Sequence, residues 1–151
     1  MDSLVRVLHV VAVVLLLGNL LMAPFWRKRL VVHGGAPARA AANRTVRLAD
    51  MLFTLPGWVI TLVTGIMLSV KIGWKGGWLH LSMLLFVIWI VVWHVGTLRA
   101  RKAMIARADE AAASGQTPPE LEQHEQQWQQ WSYISAGILL LVLILMVTTP
   151  F

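Results

Sequence analysis

Residues 76–98 read GGWLHLSMLLFVIWIVVWHVGTL, an apolar run without a single Asp, Glu, Lys or Arg. A hydrocarbon core of about 30 Å takes roughly 20 helical residues to cross, so this stretch alone predicts a transmembrane helix. Three more runs meet the same test: residues 7–26 and 51–70 before it, and 131–151 after it, none carrying a charged side chain. Composition agrees, with 58% hydrophobic and 13% charged residues and a mean hydropathy of +0.68. An average soluble domain is about 25% charged, and a chain of about 150 residues cannot enclose this much hydrocarbon in water. Disorder needs the opposite composition. The reading is an all-α integral membrane four-helix bundle, a single membrane domain over residues 1–151.

The connections set the topology. Residues 27–50 carry Arg27, Lys28, Arg29, Arg39, Arg44 and Arg47, and residues 99–130 carry Arg99, Arg101, Lys102 and Arg107. The opposite side holds only Arg6, Lys71 and Lys75. The positive-inside rule then makes both long connections cytoplasmic and turns both termini outward, as expected for a multi-pass protein of a prokaryotic plasma (inner) membrane. Trp26, Trp93, Trp128 and Trp131 fall near the inner interface, Trp74 and Trp78 near the outer one, as an aromatic belt would. The net charge of +6 belongs to this topology and not to nucleic-acid binding. The first run lacks a basic lead and a small-x-small cleavage site, so a removed signal peptide is not expected.

Local signals subdivide the connections. Gly34-Gly35-Ala36-Pro37 reads as a turn, with Pro37 opening a short helix that runs into the second span. Residues 71–77, KIGWKGG, form a tight Gly-rich link. The helix leaving the third span breaks near Ser114-Gly115 and restarts at Thr117-Pro118-Pro119-Glu120, a capping box. The polar run ELEQHEQQWQQW that follows reads as a solvated helix face. Pro56 is expected to kink the second span, and Asn19, inside the first, must find a hydrogen-bond partner in the bundle. Gly18, Gly57, Thr61, Thr64 and Gly65 are small enough to let helices approach closely.

Candidate chemistry rests on few residues. Within the spans the titratable side chains are His9, His80, His94 and, at the edge, Tyr133. An ionisable residue there is a functional-site hypothesis by default. His9 and His80 lie about two residues inside the outer ends of spans one and three, a few ångströms below one interface at about 1.5 Å per residue. Two imidazoles at one depth on two helices suit axial ligation of haem b; the alternative is that each donates a hydrogen bond to a neighbouring helix or to interfacial water. His94 follows His80 by 14 positions, on the same helix face and about 21 Å away. A second haem would need a matching pair, and span one offers only Met22 and Ala23 at that depth. His94 is left to a proton or quinone site, to a contact with Tyr133, or to structure. The absence of cysteine excludes disulfides, thiolate metal sites, iron–sulfur clusters and covalent c-type haem. No intramembrane acid, Ser-Lys pair, His-Glu-x-x-His or phosphate loop points to other catalysis, and no repeat points to a transporter.

With these residues in view, the chain resembles the HemJ-type protoporphyrinogen IX oxidases. Arg-Val-Leu-His at 6–9 and Asn-Leu-Leu-Met-Ala-Pro-Phe-Trp at 19–26 are similar to that family's opening helix. Pro56, Thr61 and Gly65 match the spacing of its second helix, and Trp78-Leu79-His80 followed by Trp93-His94 resembles its third. The closing Trp131…Thr149-Pro150-Phe151 resembles its ending. A related family of small predicted integral membrane proteins of unassigned function shares the lead-in Arg44-Thr-Val-Arg-Leu-Ala-Asp-Met-Leu-Phe-Thr-Leu-Pro56. The resemblance implies a four-helix membrane bundle holding haem b, with His9 as the leading ligand and His80 next. The HemJ-type Lys after Trp-Leu-His is Ser82 here, which removes a cation suited to a porphyrin carboxylate or a proton relay.

Two functions are therefore expected from the sequence. The first is a b-type haem-binding membrane redox protein that passes electrons to or from quinone or acts on a porphyrin, an oxidoreductase without the family Lys. The second is a non-catalytic accessory subunit with structural histidines, its basic surface docking a membrane partner or another copy, or binding anionic lipid.

Overall fold

The computed structural model describes residues 2–31, 35–116 and 118–148. Among them the chain is helical throughout: α1 (Asp2–Val31), α2 (Ala36–Ala49), α3 (Leu55–Ile72), α4 (Gly77–Val92), α5 (Leu98–Ser114) and α6 (Pro119–Thr148). One π-turn, Asp50–Thr54, joins α2 to α3 and another, Trp93–Thr97, joins α4 to α5. Four continuous helices result, Ser3–Val31, Ala36–Ile72, Gly77–Ser114 and Pro119–Thr148, each long and apolar enough to cross a membrane. The spans read from hydropathy are thus the apolar parts of longer helices. The two long connections are largely helical.

The first π-turn has a local cause. Pro56 offers no N–H, and its ring crowds the carbonyl four residues back. The chain widens just before it, so that the Leu55 N–H donates to Asp50 O, five residues back. A wide turn thus stands directly before the expected Pro56 kink site. In the second π-turn the Leu98 N–H likewise reaches Trp93 O. Gly96 sits there because a Cβ would fall 2.4 Å from the Trp131 ring. At the other end of α3, Gly73 takes φ 77°; its N–H donates to Val70 O and that of Trp74 to Ser69 O, both at 3.2 Å. This Schellman closure makes the tight link to α4. The expected break after Ser114 is also present, with Gly115 at φ 70°. Pro37 lies in the first turn of α2, and α6 begins at Pro119. Gly34 and Thr117, and with them the full turn and capping box, lie outside the described residues, as do Thr149, Pro150 and Phe151.

Packing follows the order α3, α1, α6, α4, with α1 also against α2 and α5 against both α2 and α6. The membrane core gathers Leu16, Leu17 and Leu20 of α1, Phe86 and Trp89 of α4, Trp93, and Ala136 and Leu139 of α6. Phe86 and Trp89 lie 5.4 Å apart, and Trp89 stacks on Trp93 at 6.2 Å. Trp93 and Trp128 are each 2% exposed, so they belong to the interior and not to an aromatic belt. Close approach of α1 and α3 depends on Gly57, whose Cβ would sit 3.1 Å from that of Leu16. Gly18, by contrast, has open space beside it. Beyond the membrane core, Ala40, Ala108, Ala111 and Leu121 form one small cluster, and Val46, Ala100, Met104 and Trp128 another. The bundle therefore has a basic end, where α2, α5 and the start of α6 pack together, and a turn end at Gly73–Gly76.

Candidate functional site

At the turn end, His9 of α1 faces α3. Its Nδ1 lies 2.8 Å from Thr64 Oγ1. A threonine hydroxyl has one proton, and that of Thr64 goes to Ile60 O at 2.6 Å, with Thr61 O at 3.3 Å. Thr64 Oγ1 must then accept, so His9 Nδ1 donates. A neutral imidazole with its proton on Nδ1 keeps the lone pair on Nε2, the tautomer a metal ligand needs. Gly65 makes the room: a Cβ there would approach His9 Cε1 to 3.3 Å.

The other two rings settle on the same tautomer by a different route. His80 Nδ1 lies 3.1 Å from Gly76 O and His94 Nδ1 lies 2.9 Å from Ile90 O, each carbonyl one turn back on the same helix. A carbonyl only accepts, so both Nδ1 atoms donate and both Nε2 atoms carry the lone pair. Both residues are exposed. His80 lies 6.1 Å from the Trp74 ring, whereas His94 meets Trp58 and Trp93 edge-on at 6.1 and 5.0 Å. The surroundings of His9 and His80 are therefore separate: the first is seated on α3, the second on the start of its own helix. Tyr133 does not pair with His94; its hydroxyl accepts from Gln129 Nε2 at 3.2 Å.

Two further groups mark this half of the bundle. Ser82 Oγ on α4 and Thr61 Oγ1 on α3 are buried and have no hydrogen-bond partner among the described residues. Unpartnered buried hydroxyls are uncommon and call for an explanation. Among the described residues no three His, Asp or Glu side chains gather around one point. A metal ion held by side chains alone would need such a group, whereas a haem brings four ligands of its own and asks the protein for one or two. His9, its Nδ1 held by Thr64 and Gly65 beside its ring, would supply one such ligand through Nε2.

The basic end is built differently, and sequence reasoning missed most of it. Asp50, at the start of the first π-turn, is 5% exposed. Asn19 Nδ2 donates to Asp50 Oδ1 at 3.0 Å and to Thr54 Oγ1 at 2.8 Å, and Thr54 Oγ1 donates to Asp50 Oδ1 at 3.0 Å. The other carboxylate oxygen accepts from Arg101, itself buried. The partner demanded by Asn19 is thus an acid one residue outside the second apolar run. Along the sequence Arg101 reads as one of the basic residues of the second long connection and Asp50 as part of the lead-in to the second span; the unsatisfied amide of Asn19 is the signal that locates Asp50. Nearby, Arg27 donates through Nε to Asn43 Oδ1 at 2.7 Å, pairs with Glu125 at 2.7 Å and lies over the Trp128 ring at 5.4 Å. Arg39 reaches the same Glu125 at 3.1 Å. Glu125 belongs to the polar run read as a solvated face, yet its side chain is only 13% exposed: it anchors the run, while Glu122, Gln123, Gln126, Gln127 and Gln130 stay exposed as expected. Thr97 and Ser135 complete the polar contacts, at 3.2 Å. Since π-turns recur at functional sites, the two that border this end mark it as the second candidate region.

A family model described as "Predicted integral membrane protein (DUF2269)" matches residues 3–150 of the 151-residue sequence. No curated protein and no solved structure matches.

Proposed function

Since the chain belongs to the DUF2269 family of predicted integral membrane proteins, we propose that it is a haem b protein of the prokaryotic plasma membrane, related to the HemJ-type oxidases. In this reading His9 would hold the iron through Nε2, and His80, whose Nε2 is likewise left with its lone pair, would be the second residue to do so. The observation that carries it is the hydrogen bond from His9 Nδ1 to Thr64, which leaves Nε2 as the coordinating nitrogen. Bound haem b supplies one-electron transfer. The chain contributes the rest: Thr64 holds the ring tautomer and angle, and Gly65 leaves it room. With Ser82 where the HemJ-type Lys would stand, electron exchange with quinone suits the site better than oxidation of a porphyrin. By the charge asymmetry of the connections, the basic end is cytoplasmic and the histidine end faces outward.

The test is an absorption spectrum, oxidised and dithionite-reduced, of protein purified in mild detergent from haem-replete cells. The expected result is a Soret band with sharp reduced α and β bands, lost in His9→Ala and converted to a five-coordinate spectrum or lost in His80→Ala. Full retention in both variants would overturn the ligand assignment. A featureless spectrum would favour the accessory bundle, for which there is one specific support: His80 and His94 each already serve a carbonyl of their own helix.

A further inference from the structure

A pocket of about 310 Å³ opens at the basic end between the last turns of α1, Arg39 of α2 and residues 122–129 of α6. That volume is at the lower edge of the range for small-ligand sites, about 300–1,000 Å³. Its polar lining includes Arg27, Lys28, Arg39, Gln126 and Gln129, with Trp128 behind them. The charges do not balance at the centre: two guanidiniums share the single carboxylate of Glu125. Lys28, exposed beside them, has no ion-pair partner among the described residues, and Glu122 is the only other acid on the wall. Trp128 is 2% exposed, and its indole Nε1 is buried without an acceptor among the described residues. The wall therefore presents surplus positive charge, the complement of an anion with several oxygens.

A second hollow, of about 170 Å³, shares Gln126 and Gln129 with the first and continues to Gln130 and Tyr133. Tyr133 is 54% exposed and stands where the apolar run of α6 begins. The two hollows together lead from a cationic cup to the first turn of hydrocarbon-facing helix. A free anion would use only the cup. A phospholipid uses both, with its phosphate in the cup and its glycerol backbone along Gln129 and Tyr133.

We propose that this pocket binds the phosphate headgroup of an anionic phospholipid from the leaflet at the basic end, held by Arg39 and Lys28 and steered by Gln126 and Gln129. This site is independent of haem and lies at the opposite end of the bundle from His9. It concentrates at one seat the attraction that scattered basic residues exert weakly on anionic lipid.

The test counts lipid bound to the full chain in detergent by native mass spectrometry, while adding phosphatidylglycerol, phosphatidylcholine or glycerol 3-phosphate. The expected result is one phosphatidylglycerol bound in preference to phosphatidylcholine, with no saturable binding of glycerol 3-phosphate. Lys28→Gln and Arg39→Gln should each weaken that binding about fivefold, the effect of one cation near a charged headgroup. Arg44→Gln, on the same basic surface but paired with Asp109 at 2.9 Å, should leave it unchanged. Lys28 anchors no other side chain, so its variant remains informative if Arg39→Gln fails to fold. Equal binding of phosphatidylcholine, equal binding of glycerol 3-phosphate, an unaffected Lys28→Gln, or the same loss in Arg44→Gln would each overturn the proposal.

Discussion

The Asp50 carboxylate at the basic end has three partners from three places in the chain, Arg101, Asn19 and Thr54, whereas the His9 ring at the turn end has one side-chain partner, Thr64, and the hydroxyls of Ser82 and Thr61 have none among the described residues. Both regions put polar groups inside an apolar bundle, where an unsatisfied group is costly. Around the Asp50 carboxylate the cost is offset within the chain, and the network ties α1, the first π-turn and α5 together. At the turn end it is left open. A polar group satisfied by its own fold does structural duty; one left available is where a ligand acts. The contrast therefore separates a clamp from a candidate site.

The largest way to break this comparison is Arg101→Ala. It strands the Asp50 carboxylate in a buried setting, which costs about 3–5 kcal/mol, and should abolish a cooperative thermal transition in detergent. The double variant Asp50→Leu/Arg101→Leu should regain much of the loss, since no charge is left stranded. If Arg101→Ala melts like the parent, the basic end is no clamp. Thr64→Val asks the matching question of the turn end. It should cost about 1 kcal/mol, the worth of one hydrogen bond, and, under the proposed haem ligation, should displace the reduced α band or the midpoint potential by freeing the His9 tautomer. A melting shift with no spectral change would make Thr64 merely structural. The smallest effect is expected at the rim, where Arg44 and Asp109 pair with side chains 70% and 43% exposed. Arg44→Ala should change stability by no more than about 0.5 kcal/mol, and a large destabilisation would extend the clamp beyond the buried network.

Much of this was readable before any fold was known. Asn19 announced its need for a partner because an amide cannot rest unpaired in hydrocarbon. Pro37, Gly73 and Gly115 stand where helices start and stop. The histidines were legible as candidates but not as geometry. Nothing along the chain says that His9 leans on Thr64, 55 positions away, or that His80 turns back to Gly76. The Asp50–Arg101 pair, 51 positions apart, was hidden for another reason: each residue lies just outside an apolar run, where charge reads as topology. Trp93 and Trp128 misled in the same way, since a tryptophan near a span end suits an interface and a core equally well.

What the sequence by itself determined is the membrane, the four apolar spans and the charge asymmetry of their connections. Each of these is a sum over neighbouring residues and needs no knowledge of distant ones. Only the tertiary structure decided which face of each helix turns inward, because rotation about a helix axis is set by contacts such as Gly57 on Leu16 and Gly96 on Trp131. From that rotation follow the clamp at one end, the tautomer of His9 at the other, and the cationic pocket beside Trp128.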